Sequence, residues 1–197
     1  QEALLAGGIA LSDILEVPAN RKLAAYCMPE DVYDSYFTRK GINTPEQRKE
    51  HFASFPGEFQ QDVLEKSRCA ETMFISSEHL HSRLVQLDSI RLLKNLLDPL
   101  FSEIRILCYF REQSLVAKSA YSTMVKLSYR EEFAKYLESC TTSNLYFNYY
   151  ESFSRWREVF GSETLVPRIF DRDSFHQSDI RKDVLWNIDP DLDLSRF

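Results

Sequence analysis

An α/β fold with a parallel sheet is what this sequence predicts, and three observations carry the prediction. Short apolar runs at 71–76, 104–110 and 164–170 alternate with longer stretches of helical period. The chain between consecutive runs is long enough for right-handed crossovers, so the strands are expected to pair in parallel. Glycine is scarce, 5 in 197 residues, against a usual share of about 7%. Scarce glycine favours longer helices over tight turns.

Taken in order, residues 1–20 read as a short helix, a Gly7-Gly8 turn and a loop through Pro18. From 21 to 66 the composition changes. Tyr26, Tyr33, Tyr36 and Phe37 mix with charges, and Pro29, Pro45 and Pro56 punctuate the run. Thr44 before Pro45 has the form of a helix start, with a capping hydroxyl and a proline at the first helical position. Short helices lying over a core, rather than core strands, are expected here. A strand follows at 71–76, and Ser77 caps a helix over 78–97 that ends before Pro99. Leu80, Leu84, Leu87, Ile90, Leu93 and Leu97 recur at three- and four-residue steps, a single core-facing stripe. The strand at 104–110 leads to helices at 113–126, 130–139 and 149–160, and the third strand is 164–170.

Composition narrows the function. At 197 residues with 44% hydrophobic content the chain suits one domain, 1–197, with a sizeable core. A net charge of −6 argues against a nucleic-acid surface. A small anionic ligand needs only a local cluster of positive charge. No run of about 18 apolar residues predicts a transmembrane helix, and no basic stretch before an apolar core marks a signal peptide. Cys27, Cys69, Cys108 and Cys140 are scattered without C-x-x-C spacing, which points to reduced thiols and a cytoplasmic setting. The Asp171-Arg172-Asp173 and Asp189-Pro190-Asp191 runs lack EF-hand spacing, so no metal is implied.

Parallel sheets bind ligands beyond the carboxyl ends of their strands. Ser76, Ser77, Glu78 and Arg111 all fall at such ends. Arg111 breaks off the second strand just before a helix, where free N–H groups and the helix dipole favour an anion. Its guanidinium adds a fork of donors suited to a phosphate. Ser119 lies eight residues on. Glu78 offers a carboxylate for proton transfer. His79 would point about 100° away from it on a helix, and His81 about 300° round.

Arg111 with Ser119 resembles the pair by which sulfotransferases hold the 3′-phosphate of 3′-phosphoadenosine-5′-phosphosulfate (PAPS). The run Met73-Phe74-Ile75-Ser76-Ser77-Glu78-His79-Leu80 is similar to the second core strand and turn of bacterial members. Phe153-Ser154-Arg155-Trp156 through Phe160-Gly161, with Leu165 through Arg172, resembles their next helix, Phe-Gly turn and strand. The three segments keep the family's order across roughly residues 70 to 175. The resemblance implies a P-loop NTPase-like sulfotransferase fold, a three-layer sandwich around a central parallel sheet, with residues 21–66 as a covering lid. It implies PAPS as donor, no metal, Arg111 and Ser119 as donor-binding residues, and Glu78 or His79 as catalytic base. The acceptor would be a hydroxyl or amine on a small molecule or glycan, approached by the aromatic and basic segment that ends in Arg39-Lys40. Within these 197 residues the family's Gly-rich phosphosulfate loop has no counterpart, because Gly7-Gly8 lacks the flanking Lys and Ser/Thr; the loop either lies upstream of them or is lacking. Two other readings stay open: a silent binding module of the same fold, and a phosphoryl transferase that would use Asp171 at a strand end. Oligomeric state is not indicated.

Overall fold

The computed structural model describes residues 2–17 and 19–196 and divides into two compact units, one running through Ile104 and the other Arg105–Ser195. Both combine helices with one short parallel strand pair.

The first unit contains α1 (Glu2–Ala6), β1 (Ile9–Ala10), α2 (Arg21–Cys27), α3 (Ser35–Arg39), α4 (Pro45–Phe52), α5 (Phe55–Lys66), β2 (Thr72–Met73), α6 (Glu78–Arg83) and α7 (Leu87–Leu97). Phe55 and Phe59 stand four residues apart on α5, so they share a face. Both are fully buried, with ring centroids 6.1 Å apart. Tyr36 and Phe37 of α3 and Phe52 of α4 join them in one aromatic cluster, and α2 adds Leu23, Ala24, Ala25 and Cys27. Fully burying one such phenylalanine contributes about 2–3 kcal/mol. The helices of 21–66 therefore carry much of this unit's core, where the sequence led us to expect a covering layer. No strand forms among them, as expected.

Arg48 locks two of these helices together. Its buried guanidinium donates to the carbonyls of Ala25 (3.2 Å), Met28 (2.5 Å), Pro29 (2.6 Å) and Val32 (3.2 Å), and it lies over the Phe37 ring at 4.7 Å. Carbonyls that α2 leaves unpaired at its C-terminus thus meet a cation on the side the helix dipole favours.

Two expectations change in this unit. The strand at 71–76 contracts to β2, which pairs in parallel with β1, Ile9 opposite Thr72 and Ala10 opposite Met73. The single helix over 78–97 is two helices. Leu84 leaves the helical region (φ −89°, ψ 64°) and Gln86 is extended. Helix α2 packs against both α6 and α7, and the break at 84–86 lets the chain bend between those contacts while Leu84 is buried.

The second unit contains β3 (Ile106–Phe110), α8 (Gln113–Lys126), α9 (Phe133–Leu137), α10 (Tyr149–Phe160), β4 (Leu165–Ile169) and α11 (Ile180–Ile188). Strands β3 and β4 pair in parallel from Ile106 opposite Leu165 to Phe110 opposite Ile169. Helix α10 buries Ser152, Trp156 and Phe160, a stripe at four-residue steps. Tyr121 of α8 packs on Phe133 and Tyr136 of α9, closing a helical hairpin. Helix α9 spans only part of the 130–139 expected.

Asp183 of α11 fixes that helix to the strand pair. Its fully buried carboxylate accepts from Tyr109 Oη (2.6 Å), Arg168 Nη2 (2.7 Å) and Nε (3.3 Å), the His176 N–H (2.8 Å) and Asn187 Nδ2 (3.3 Å). Tyr109 and Arg168 are register partners on adjacent strands, so one acid reads both at once. Burial raises the Asp183 carboxyl, but bonds from Arg168, Tyr109 and the His176 N–H outweigh it and hold it below the usual carboxylate range.

Candidate functional site

Strand ends are where ligands meet a parallel sheet, and each unit has one. In the first, β2 runs into α6. Ser77 caps that helix by accepting the His79 N–H at 3.3 Å, as its position predicts. The Ser76 carbonyl accepts from Asn20 Nδ2 at 2.9 Å, tying this turn to the start of α2. Glu78 points into solvent with 85% of its side chain exposed.

His79 is held differently. Its side chain is only 13% exposed, with Nε2 3.4 Å from Arg21 Nη1 and 3.8 Å from the Glu78 carboxylate. Arginine has donors only, so this contact assigns Nε2 as the acceptor and the proton to Nδ1. Burial and the Arg21 charge both lower its pKa. Arg21 is itself fixed: Asp34 Oδ2 accepts from Arg21 at 2.6 Å and from Arg83 Nε at 2.8 Å, while Ser35 Oγ accepts from Arg21 at 3.0 Å. Burial raises the Asp34 carboxyl, yet the Arg83 bond, the Tyr36 N–H and Arg21 together hold it low. Of the two candidate bases, the exposed Glu78 carboxylate is thus open to an incoming group, and the nearer lone pair of His79 is engaged. His81 is half-buried, and burial lowers its pKa.

In the second unit β3 ends at Phe110, and Arg111 follows directly. Arg111 is exposed and lies over the Phe170 ring at 5.6 Å. No carboxylate pairs with it among the described residues. The free helix N–H groups expected beside it are not free. Glu112 caps α8, its carboxylate accepting from the N–H of Ser114 (3.1 Å) and Leu115 (3.3 Å) and from Ser114 Oγ. The Ser114 hydroxyl and the Ser114 and Leu115 N–H groups hold the Glu112 carboxyl below its ordinary value. A built-in anion therefore occupies the N-terminus where a phosphate was expected. Ser119 stands exposed six residues into α8, about 9 Å along its axis.

Glu78 and His79 belong to the first unit, Arg111 and Ser119 to the second. The aromatic residues expected to line an acceptor cleft are placed elsewhere. Tyr36 is buried, and its hydroxyl lies 3.3 Å from Glu16 and 3.1 Å from His51. Phe37 is wholly in the core. Arg39 and Lys40 are exposed, with Lys40 paired to Glu16 at 2.8 Å. Asp171, the strand-end acid a phosphoryl transferase would need, caps a single turn through the Asp173 N–H.

All four cysteines are free thiols. Burial raises Cys27, despite the opposing Arg48 charge, and pushes Cys108 up to about 11. Both are therefore thiols rather than thiolates at neutral pH. Among the described residues no helix is long and apolar enough to cross a membrane.

No family model matches this chain, and no solved structure matches it. A relative from Archaeoglobus fulgidus described as an uncharacterized protein is 29% identical over 92 residues, which is 47% of this chain and 24% of that relative. The chain thus matches about a quarter of that relative's length.

Proposed function

We propose that this chain belongs to a cytoplasmic, P-loop-like sulfotransferase that moves a sulfuryl group from PAPS to a hydroxyl or amine of a small molecule or glycan. The observation that carries the reading is Arg111, an exposed cation with no ion pair among the described residues, directly after a parallel strand, with Ser119 on the helix that follows. A 3′-phosphate suits those two groups, and the order of the three resembling segments agrees with it. The donor supplies the sulfuryl group. The resemblance of residues 73–80 gives Glu78 the base's role, taking the proton released as the acceptor oxygen or nitrogen bonds to sulfur and the bond from sulfur to the 5′-phosphate oxygen breaks; how Glu78 and the donor-binding pair are arranged is no part of the reading. A grip on the 5′-phosphosulfate is no part of the reading.

Glu112 favours a second reading, a binding module of the same fold without transfer activity, because its carboxylate holds the α8 N-terminus and repels a phosphate there. One experiment bears on both. The dissociation constants of 3′-phosphoadenosine-5′-phosphate and adenosine-5′-monophosphate are measured calorimetrically for the protein and for Arg111→Ala. Arg111→Ala should weaken the 3′-phosphorylated nucleotide by tenfold or more and leave the other unchanged. Equal losses for both, or no preference in the starting protein, would sink the donor assignment. If that preference holds, Glu78→Gln separates enzyme from silent module: an enzyme should lose about 10²-fold or more in kcat with nucleotide affinity intact.

A further inference from the structure

We propose that the second unit carries a binding site for a planar aromatic anion, an aryl carboxylate or sulfonate, in the cleft between the end of β3 and α10. The cleft has a volume of about 260 Å³ and is lined by Phe110, Tyr149, Tyr150, Phe153, Ser154 and Arg157. That volume lies just below the usual range for drug-sized ligands, roughly 300–1,000 Å³, and suits a molecule of one or two rings.

The α10 residues lining it lie beside that helix's buried stripe, not on it. The helix buries its stripe of Ser152, Trp156 and Phe160 against the unit's interior. Tyr149, Phe153 and Arg157 recur at four-residue steps on a neighbouring stripe, with Tyr150 and Ser154 beside them. Phe110, the last residue of β3, meets this stripe with its ring centroid 5.0 Å from Tyr149 and 5.2 Å from Phe153. Tyr150 is 78% exposed, a large ring left in water. Rings at offset and edge-on angles present both π-faces and positive edges, which favours a flat aromatic guest over an aliphatic one.

Charge sets the second half of the chemistry. The chain carries a net charge of −6, yet the one charged residue lining the cleft is the cation Arg157. Its neighbour Arg155 pairs with Glu151 at 3.2 Å on the same helix. Arg157 has no ion pair among the described residues. The planar fork of its guanidinium suits a carboxylate or sulfonate. This site does not depend on the sulfotransferase reading.

The test uses 2-naphthoate, with 2-naphthamide and cyclohexanecarboxylate as controls, titrated into the protein and followed by calorimetry. We expect saturable binding of 2-naphthoate, about tenfold weaker binding of 2-naphthamide, and none of cyclohexanecarboxylate in the same range. Arg157→Gln should make the two naphthyl compounds equal, and Tyr150→Ala should weaken both by about fivefold; both positions are exposed, so the fold should survive. Unsaturable binding, or a preference for naphthoate that persists in Arg157→Gln, overturns the proposal. Competition by 3′-phosphoadenosine-5′-phosphate that vanishes in Arg111→Ala would make the cleft part of the nucleotide site and overturn it as well. So would failure of naphthoate to bind together with a concentration-dependent dimer that Tyr150→Ala dissociates.

Discussion

Asp183 has almost no water to share its charge with, so donors from Tyr109, Arg168, His176 and Asn187 do so instead. Removing the acid strands them, and Arg168 keeps only partial access to solvent, 29% of its side chain. Asp183→Ala should therefore cost about 3 kcal/mol in chemical denaturation, the lower end of the range for breaking a buried pair. The same carboxyl sits below its unfolded value, near 3.9. Its contribution is fully present above that pH and disappears as pH falls through the lower folded value; acid unfolding of Asp183→Ala should lack that step. In the first unit, the Arg21 charge adds to burial in lowering the His79 pKa. Arg21→Gln should move the His79 imidazole pKa upward, visible in an NMR titration of its ring protons, because the Arg21 charge is gone while burial and the Arg83 charge still lower it. Glu112→Gln keeps a carbonyl oxygen for the α8 cap but removes a negative charge beside Arg111, so 3′-phosphorylated nucleotides should bind more tightly. An unchanged constant would show that Glu112 and the nucleotide phosphate do not meet.

At the scale of elements, local signals were legible and distant ones were not. Helices α8 and α10 begin and end where their periodicity places them, and Thr44 with Gln47 forms the full capping box before Pro45. Those features depend on residues within one turn of each other. Strand β1 escaped notice because two residues cannot show an alternation; only its partner 63 positions away, Thr72 opposite Ile9, makes it a strand. The six-residue leucine stripe predicts one helix, and nothing within 84–86 announces the break; α2, packed on both halves, does. Arg48 was equally silent, since the four carbonyls it holds lie 16 to 23 residues upstream. As for the candidate site, the placement of Arg111 directly after a strand was readable, whereas β2 stops at Met73, five residues before Glu78, and the capture of the α8 N-terminus by Glu112 needed coordinates. Arg48→Met should expose the worth of that hidden clasp. It leaves buried carbonyls of α2 and its following loop unsatisfied, for a loss of about 3 kcal/mol in urea unfolding.

Across the whole molecule, contacts gather within two units, each with its own strand pair and its own buried ion. Damage to one should therefore stay local. In Asp183→Ala, amides of β3, β4 and α11 should exchange hydrogen faster while those of α5 and α7 keep their protection; uniform acceleration would mean that the units open together. Asp183 has one more effect. Strands β3 and β4 are parallel and 59 residues apart at Cys108 opposite Pro167. No hairpin turn tells them how to align. A slip of one position would swing Arg168 to the opposite face and leave a carboxylate buried with its main cation gone. Misaligned pairings are thus penalised by an electrostatic fault of several kcal/mol rather than by poor fit alone, and the acid on α11 serves as the proofreader of a sheet to which it does not belong.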